Sequence, residues 1–160
     1  MICITICDFG YDACRHALRR CERYLHTYPD LVVEIRLDLC GLNEEENQRL
    51  FCDSKVPLIA TCRRRSSDLY FPAVLSGASY IDIDGIQSNT DIQHILQELE
   101  GHKVQKILSY QNFQKTPALN ELISYFENGV SLGADIIKIT TSAQNTEDTE
   151  KLLSLYILQR

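Results

Sequence analysis

The sequence predicts an α/β fold of the TIM-type (β/α)8 barrel family, here an incomplete barrel with about six βα units, and three observations lead there. Short apolar, β-branched runs recur along the chain and an amphipathic segment follows each, the pattern of βα units building a parallel sheet. No G-x-G-x-x-G follows the first run, so the dinucleotide crevice of an open doubly wound sheet would have no phosphate cradle. Polar residues gather instead at the C-terminal ends of several different strands, where the active sites of such barrels are assembled: Glu34, Arg36 and Asp38, then Arg63, Asp82 and Asp84, then Gln111, then Lys138.

Taken in order, the first unit is a strand at Ile2 to Cys7 and a helix at Tyr11 to Thr27. The second pairs Leu31 to Leu39 with Asn43 to Cys52, and the third pairs Pro57 to Cys62 with Leu69 to Gly77. Ser79 to Asp84 with Thr90 to Gly101 make the fourth, and Lys106 to Tyr110 with Ala118 to Leu132 the fifth. In the sixth, the strand Asp135 to Thr140 leads to a helix from Glu147 to Leu158. Its Leu152, Leu153, Leu155, Tyr156 and Leu158 form an apolar stripe, and Asn145 or Thr146 can cap its start. A barrel of this type takes about 250 residues, and 160 supply six units. The chain is therefore expected to be one domain over residues 1–160, either a fragment or an incomplete barrel whose first and sixth strands present open edges.

Composition narrows the function classes. A hydrophobic content of 44% with 24% charged residues belongs to the globular class. A net charge of −6 argues against nucleic acid or an anionic membrane as partner, since Arg63, Arg64 and Arg65 are the only basic run. The apolar stretches are strand-sized and MICITICDFG lacks the marks of a signal peptide, so the expected location is cytoplasmic. The seven cysteines, at 3, 7, 14, 21, 40, 52 and 62, include no C-x-x-C and no accompanying histidine box. They are read as reduced core residues, with no metal site.

Three segments carry the chemistry. In Glu34-Ile35-Arg36-Leu37-Asp38 polar and apolar residues alternate, which in a strand puts three polar side chains on one face, toward a polar pocket or toward solvent. Lys138 ends the run Gly133-Ala134-Asp135-Ile136-Ile137-Lys138, which otherwise reads as a buried parallel strand. Desolvation favours a neutral amine, the form that attacks a ketone, yet a lysine at a fraying strand end with its charge in water fits the local sequence equally. Ser109-Tyr110-Gln111-Asn112-Phe113-Gln114-Lys115-Thr116-Pro117 reads as a strand end entering a loop, where Gln111 and Asn112 could simply bond loop backbone.

These segments, with Pro57-Leu-Ile-Ala-Thr61-Cys-Arg63 and Asp82-Ile-Asp84 between them, resemble in content and order the type I 3-dehydroquinate dehydratases. That family consists of (β/α)8 barrels, commonly dimers, that convert 3-dehydroquinate to 3-dehydroshikimate in the shikimate pathway without metal or cofactor. The resemblance implies that Lys138 forms an imine with the substrate ketone and that Glu34, Arg36 and Arg63 bind its hydroxyl and carboxylate groups; it allows a homodimer without fixing the oligomeric state.

The sequence also departs from the family. Gln111 stands where the family has the histidine that moves protons, and the interval to Lys138 is of family length, so a shift of one residue supplies no histidine. The acidic residue expected soon after the third-strand arginine is not evident in Arg64-Arg65-Ser66-Ser67-Asp68, where Asp68 is a loose substitute. The family's last two strands, with a further arginine, would lie beyond Arg160. His16, His26, His94 and His102 all fall in the outer helical ring, away from the strand ends. Three functions stay open: a dehydratase impaired in proton transfer, an inactive relative or fragment that at most binds a polyhydroxy acid, and another Schiff-base barrel such as an aldolase. The last explains Lys138 but not the second- and fifth-strand motifs.

Overall fold

All six βα units are present in the structure, a computed structural model that describes residues 2–63 and 69–158. The elements run β1 (Ile2–Ile6), α1 (Tyr11–Glu22), β2 (Leu31–Arg36), α2 (Leu37–Cys40), α3 (Glu44–Cys52), β3 (Leu58–Thr61), α4 (Tyr70–Leu75), β4 (Tyr80–Asp84), α5 (Asn89–Glu98), β5 (Gln105–Asn112), α6 (Leu119–Ser131), β6 (Ile136–Thr141) and α7 (Thr146–Leu158). The strands pair in sequence order and every pair is parallel. A parallel sheet in sequential order with a helix after each strand is the wall of a (β/α) barrel. Among the described residues it does not close, and β1 and β6 form its edges. The edges leave their mark on burial. On β1, Ile2, Cys3 and Thr5 are exposed, and every residue of β6 is half-buried where the inner strand β2 is almost wholly buried.

Local sequence accounts for the helices. On α1, Cys14, Leu18 and Cys21 recur at spacings of four and three, so one stripe is buried against the sheet. Asn43 opens α3 with a capping box: its side chain accepts from the Glu46 N–H at 2.9 Å, and its own N–H donates to the Glu46 carboxylate at 3.0 Å. Ser88 caps α5, and Asn145 rather than Thr146 caps α7 by accepting from the Asp148 N–H at 3.0 Å.

Four expectations need correction. β2 ends at Arg36, not Leu39, because Leu37–Cys40 coil into a helical turn closed by Gly41 at φ 63. That left-handed position suits glycine. α1 stops at Glu22, and the chain reaches Pro29 through successive turns. On α7, Leu155 is buried but Leu153 and Tyr156 are exposed, since α7 packs on α6 beside an edge strand. Of the cysteines, Cys14, Cys21, Cys40 and Cys62 are buried, whereas Cys3, Cys7 and Cys52 are exposed.

Two apolar regions flank the sheet. The larger joins its outer face to the helices and includes Leu18, Val33, Ile35, Ala60, Ile81, Ile83 and Ile92. The smaller lies on the concave face, where Val32, Ile59 and Ile107 pack with Tyr80 and Ile136. It is the floor beneath the polar strand ends, one of the side-chain layers that fill a barrel interior.

Candidate active site

Side chains alternate along a strand, so the residues two positions beyond the apolar floor face the same concave surface. Register then sets polar groups side by side: Arg36 beside Thr61, Thr61 beside Asp82, Asp84 beside Ser109 and Ser109 beside Lys138.

Asp82 is the hub. Its side chain is fully buried, and it accepts from Arg63 Nη1 at 2.8 Å on one oxygen and from Lys138 Nζ at 3.0 Å on the other. A buried carboxylate needs such partners, because taking an unpaired charge from water costs several kcal/mol. Burial is the largest influence and works against the Arg63 charge, but the hydrogen bond to Asp82 and the charges of Asp82 and Asp84 together prevail and hold the guanidinium above its ordinary range. Below the hub, the buried hydroxyl of Tyr70 lies 2.8 Å from the carbonyl oxygens of both Cys62 and Asp82 and shares its one hydrogen between them, tying the end of β3 to β4.

Glu34 is the second carboxylate near Lys138, with Oε1 3.7 Å from Nζ. Thr61 donates to that oxygen at 2.8 Å and Thr5 to the other at 2.6 Å. Two threonine hydroxyls from the flanking strands thus fix one Glu34 rotamer and supply its hydrogen bonds. Lys138 itself is 36% exposed at the open side of the site. It is therefore neither the stranded buried ammonium nor the solvated strand-end lysine that its local sequence allowed: it has two carboxylate partners and a path to solvent.

Arg36 turns aside. Its Nε and Nη2 donate to the two oxygens of Asp38, at 3.0 and 2.9 Å, in a bidentate fork. Asp38 was expected on the face of β2 but stands on the α2 turn, which bends it back over Arg36. Burial raises the Asp38 carboxyl, yet the Arg36 hydrogen bonds and charge prevail and hold it below the ordinary carboxylate value.

Gln111 lies within β5 rather than in the loop after it, opposite Thr140 of β6 and two residues beyond Ser109 on the same face. Among the described residues its side chain makes no hydrogen bond, and it does not join the Asp82 hub. Asn112 behaves as a loop-former, its side-chain oxygen accepting from the N–H groups of Gln114 and Lys115 at 3.0 Å each. The hydroxyl of Ser109 is fully buried with no hydrogen-bond partner among the described residues.

The structure thus brings Lys138, Glu34 and Arg63 together, leaves Arg36 paired with Asp38, and sets Gln111 one step further along its strand. The expectation at Asp68, and those at Arg64 and Arg65, lie outside the described residues. Asp82 was placed among the polar strand ends without a role, and Thr5 and Thr61 were given none. Asp82 carried a signal, since Asp82-Ile-Asp84 repeats the alternation of Glu34-Ile-Arg36. The threonines carried none, as Thr is an ordinary strand residue.

A family model described as Type I 3-dehydroquinase matches residues 11–157. The chain belongs to the type I 3-dehydroquinase family. Its similarity to members of that family runs nearly end to end. It is 32% identical over 168 residues to the 3-dehydroquinate dehydratase of Methanococcus maripaludis, an alignment covering 97% of this chain and 73% of that protein. The corresponding protein of Methanocaldococcus jannaschii is 29% identical, with 97% and 72% covered. The structure of 3-dehydroquinate dehydratase from Enterococcus faecalis superposes with a TM-score of 0.80 at 22% identity, covering 96% of this chain and 70% of that one. At that identity the superposition speaks for the barrel fold. The type I 3-dehydroquinase resemblance stated from the strand-end motifs is therefore correct, and so is the incomplete barrel.

Proposed function

We propose that this type I 3-dehydroquinase is a hydro-lyase of the shikimate pathway that dehydrates 3-dehydroquinate to 3-dehydroshikimate through a Schiff base on Lys138, with proton transfer impaired by Gln111. The observation that carries the reading is the position of Lys138 Nζ, 3.0 Å from Asp82 and 3.7 Å from Glu34 at the mouth of a barrel of this family.

The chemistry follows from an amine meeting a β-hydroxy ketone. Lys138 loses a proton to solvent and its lone pair adds to the ketone carbon; the carbonyl oxygen leaves as water and a protonated imine remains. That imine withdraws electrons from the neighbouring C–H. Loss of the proton gives an enamine, which expels the β-hydroxyl group as a second water once that group is protonated. Hydrolysis of the imine takes up one water and frees the product and Lys138, so one water is lost overall. Glu34 and Arg63 border the reacting nitrogen and serve the substrate's hydroxyl and carboxylate groups; Arg36 joins them if its fork turns from Asp38 to the substrate.

Gln111 occupies the position from which a histidine would carry the proton, and an amide does not exchange protons near neutral pH. The absence of a general acid/base lowers rates by about 10²–10⁴-fold. A second reading, an inactive relative that binds a polyhydroxy acid, draws on the same Gln111 and on the pairing of both Arg36 and Arg63 with protein carboxylates. Location and assembly are proposals too. Seven cysteines with no disulfide among the described residues suit a reducing, cytoplasmic compartment, and a homodimer rests on family habit alone.

The test is the appearance of the conjugated ketone product, followed by its ultraviolet absorbance in excess 3-dehydroquinate. Slow turnover that disappears in Lys138→Ala supports the dehydratase. Binding of 3-dehydroquinate by calorimetry, with no product from either the natural chain or Gln111→His, supports the inactive relative.

A further inference from the structure

The geometry points to Asp82, rather than Glu34, as the counter-ion that keeps the Lys138 imine protonated. This rests on the Schiff-base reading and names the group that sustains its electron sink.

A lysine ammonium has three N–H donors and can serve Asp82 at 3.0 Å while facing Glu34 at 3.7 Å. On forming the imine, the C=O bond breaks, its oxygen departs as water, and the nitrogen retains one N–H. Ammonium plus ketone becomes iminium plus water, with charge conserved. A single N–H serves one oxygen. Asp82 Oδ2 is already at hydrogen-bond distance, whereas Glu34 Oε1 is beyond it and accepts from Thr61.

The surroundings separate the two carboxylates further. The Asp82 side chain is fully buried and its other oxygen is held by Arg63 at 2.8 Å, so its charge is fixed in place and poorly screened by water. Such an anion beside a cation favours the protonated form. Glu34, fixed by Thr5 and Thr61, is left free to address the substrate. Arg63 and Lys138 also compete for one carboxylate, so an arginine engaged elsewhere leaves more of the Asp82 charge to the nitrogen. The groups around Lys138 are Glu34 from β2, Arg63 from the end of β3, Asp82 from β4, Ser109 from β5 and Cys3 from β1, whose thiol is raised by burial first and by Glu34 next, with Lys138 opposing.

Two readouts on the full chain test this. In the first, 3-dehydroquinate is trapped with cyanoborohydride, which adds hydride to the carbon of a protonated imine, and the adduct is quantified across pH. Asp82→Asn should lower trapping about tenfold and bring the upper pH limit of trapping down by about one pH unit, with a smaller change in Glu34→Gln. In the second, acetic anhydride acylates Lys138 without substrate and peptide mass mapping gives the rate. The pH of half-maximal acylation should fall by about one unit in Asp82→Asn and rise in Arg63→Gln.

Pure loss of structure would not move these pH limits in opposite directions. If Asp82→Asn does not fold, the rise in Arg63→Gln decides, and its absence overturns the inference. Unchanged pH limits in a folded Asp82→Asn, or an equal effect of Glu34→Gln, also overturn it. A natural chain that gives no adduct sinks the Schiff-base reading and this inference together, whereas a normal adduct in Asp82→Asn sinks only the counter-ion.

Discussion

Arg36 and Asp38 lie two residues apart yet meet in a bidentate fork, Nε to Oδ1 at 3.0 Å and Nη2 to Oδ2 at 2.9 Å, because the chain leaves β2 and coils into α2 between them. The fork is a lock on the mouth of the site. Asp38 is held below its ordinary carboxylate value of 3.8, against the pull of burial, so its folded form binds protons less readily than the unfolded chain. Stability from this pair is therefore complete above the unfolded value and is lost as pH falls through the lower, folded value. Asp38→Asn should cost about 1 kcal/mol in denaturant unfolding near pH 7, and the difference from the natural chain should shrink as pH falls through the folded value of Asp38. A difference that persists in acid would show that the fork's charge is not its source.

A prediction about activity concerns Gln111. It sits on the same face of β5 as Ser109, which neighbours Lys138, so a ring at position 111 would face the same cavity. Gln111→His should raise dehydration of 3-dehydroquinate by about 10²–10⁴-fold, provided the rest of the site binds substrate. The readout is kcat, and the new activity should depend on pH as an imidazole titrates. A gain in KM alone, with kcat unchanged, would mean that position 111 contacts substrate without moving protons.

Tyr70 offers a structural prediction. Its hydroxyl shares one hydrogen between two carbonyl oxygens, those of Cys62 and Asp82, beneath the Arg63–Asp82 pair. Tyr70→Phe keeps the ring and removes the hydroxyl that faces both carbonyls, which should cost about 1–3 kcal/mol in chemical denaturation. Trapping of an imine on Lys138 should weaken as well, since the ends of β3 and β4 lose their tie. A variant as stable as the natural chain would mean that water replaces the hydroxyl.

Much of this was legible in the sequence for a physical reason. Strands buried on both faces must be apolar and helices on a sheet must be amphipathic, so all six units announced themselves, and the polar strand ends stood out where an apolar interior gives way. What escaped notice depends on more than one segment. The turn at Leu37–Cys40 hid inside Glu34-Ile35-Arg36-Leu37-Asp38, whose alternation satisfies a strand as well as a strand ending in a turn. The sharing of Asp82 by Arg63 and Lys138 needs the register of β3 through β6, which no local pattern contains. The exposure of Leu153 and Tyr156 likewise depends on which neighbours α7 has, not on its own stripe.

The central claim, imine chemistry at Lys138, is tested most directly by incubating the protein with 3-dehydroquinate and borohydride and mapping the modified peptide by mass. A reduced substrate adduct on Lys138, absent in Lys138→Ala and absent without substrate, is the predicted result. No adduct at saturating 3-dehydroquinate, or an adduct that survives in Lys138→Ala, would contradict it.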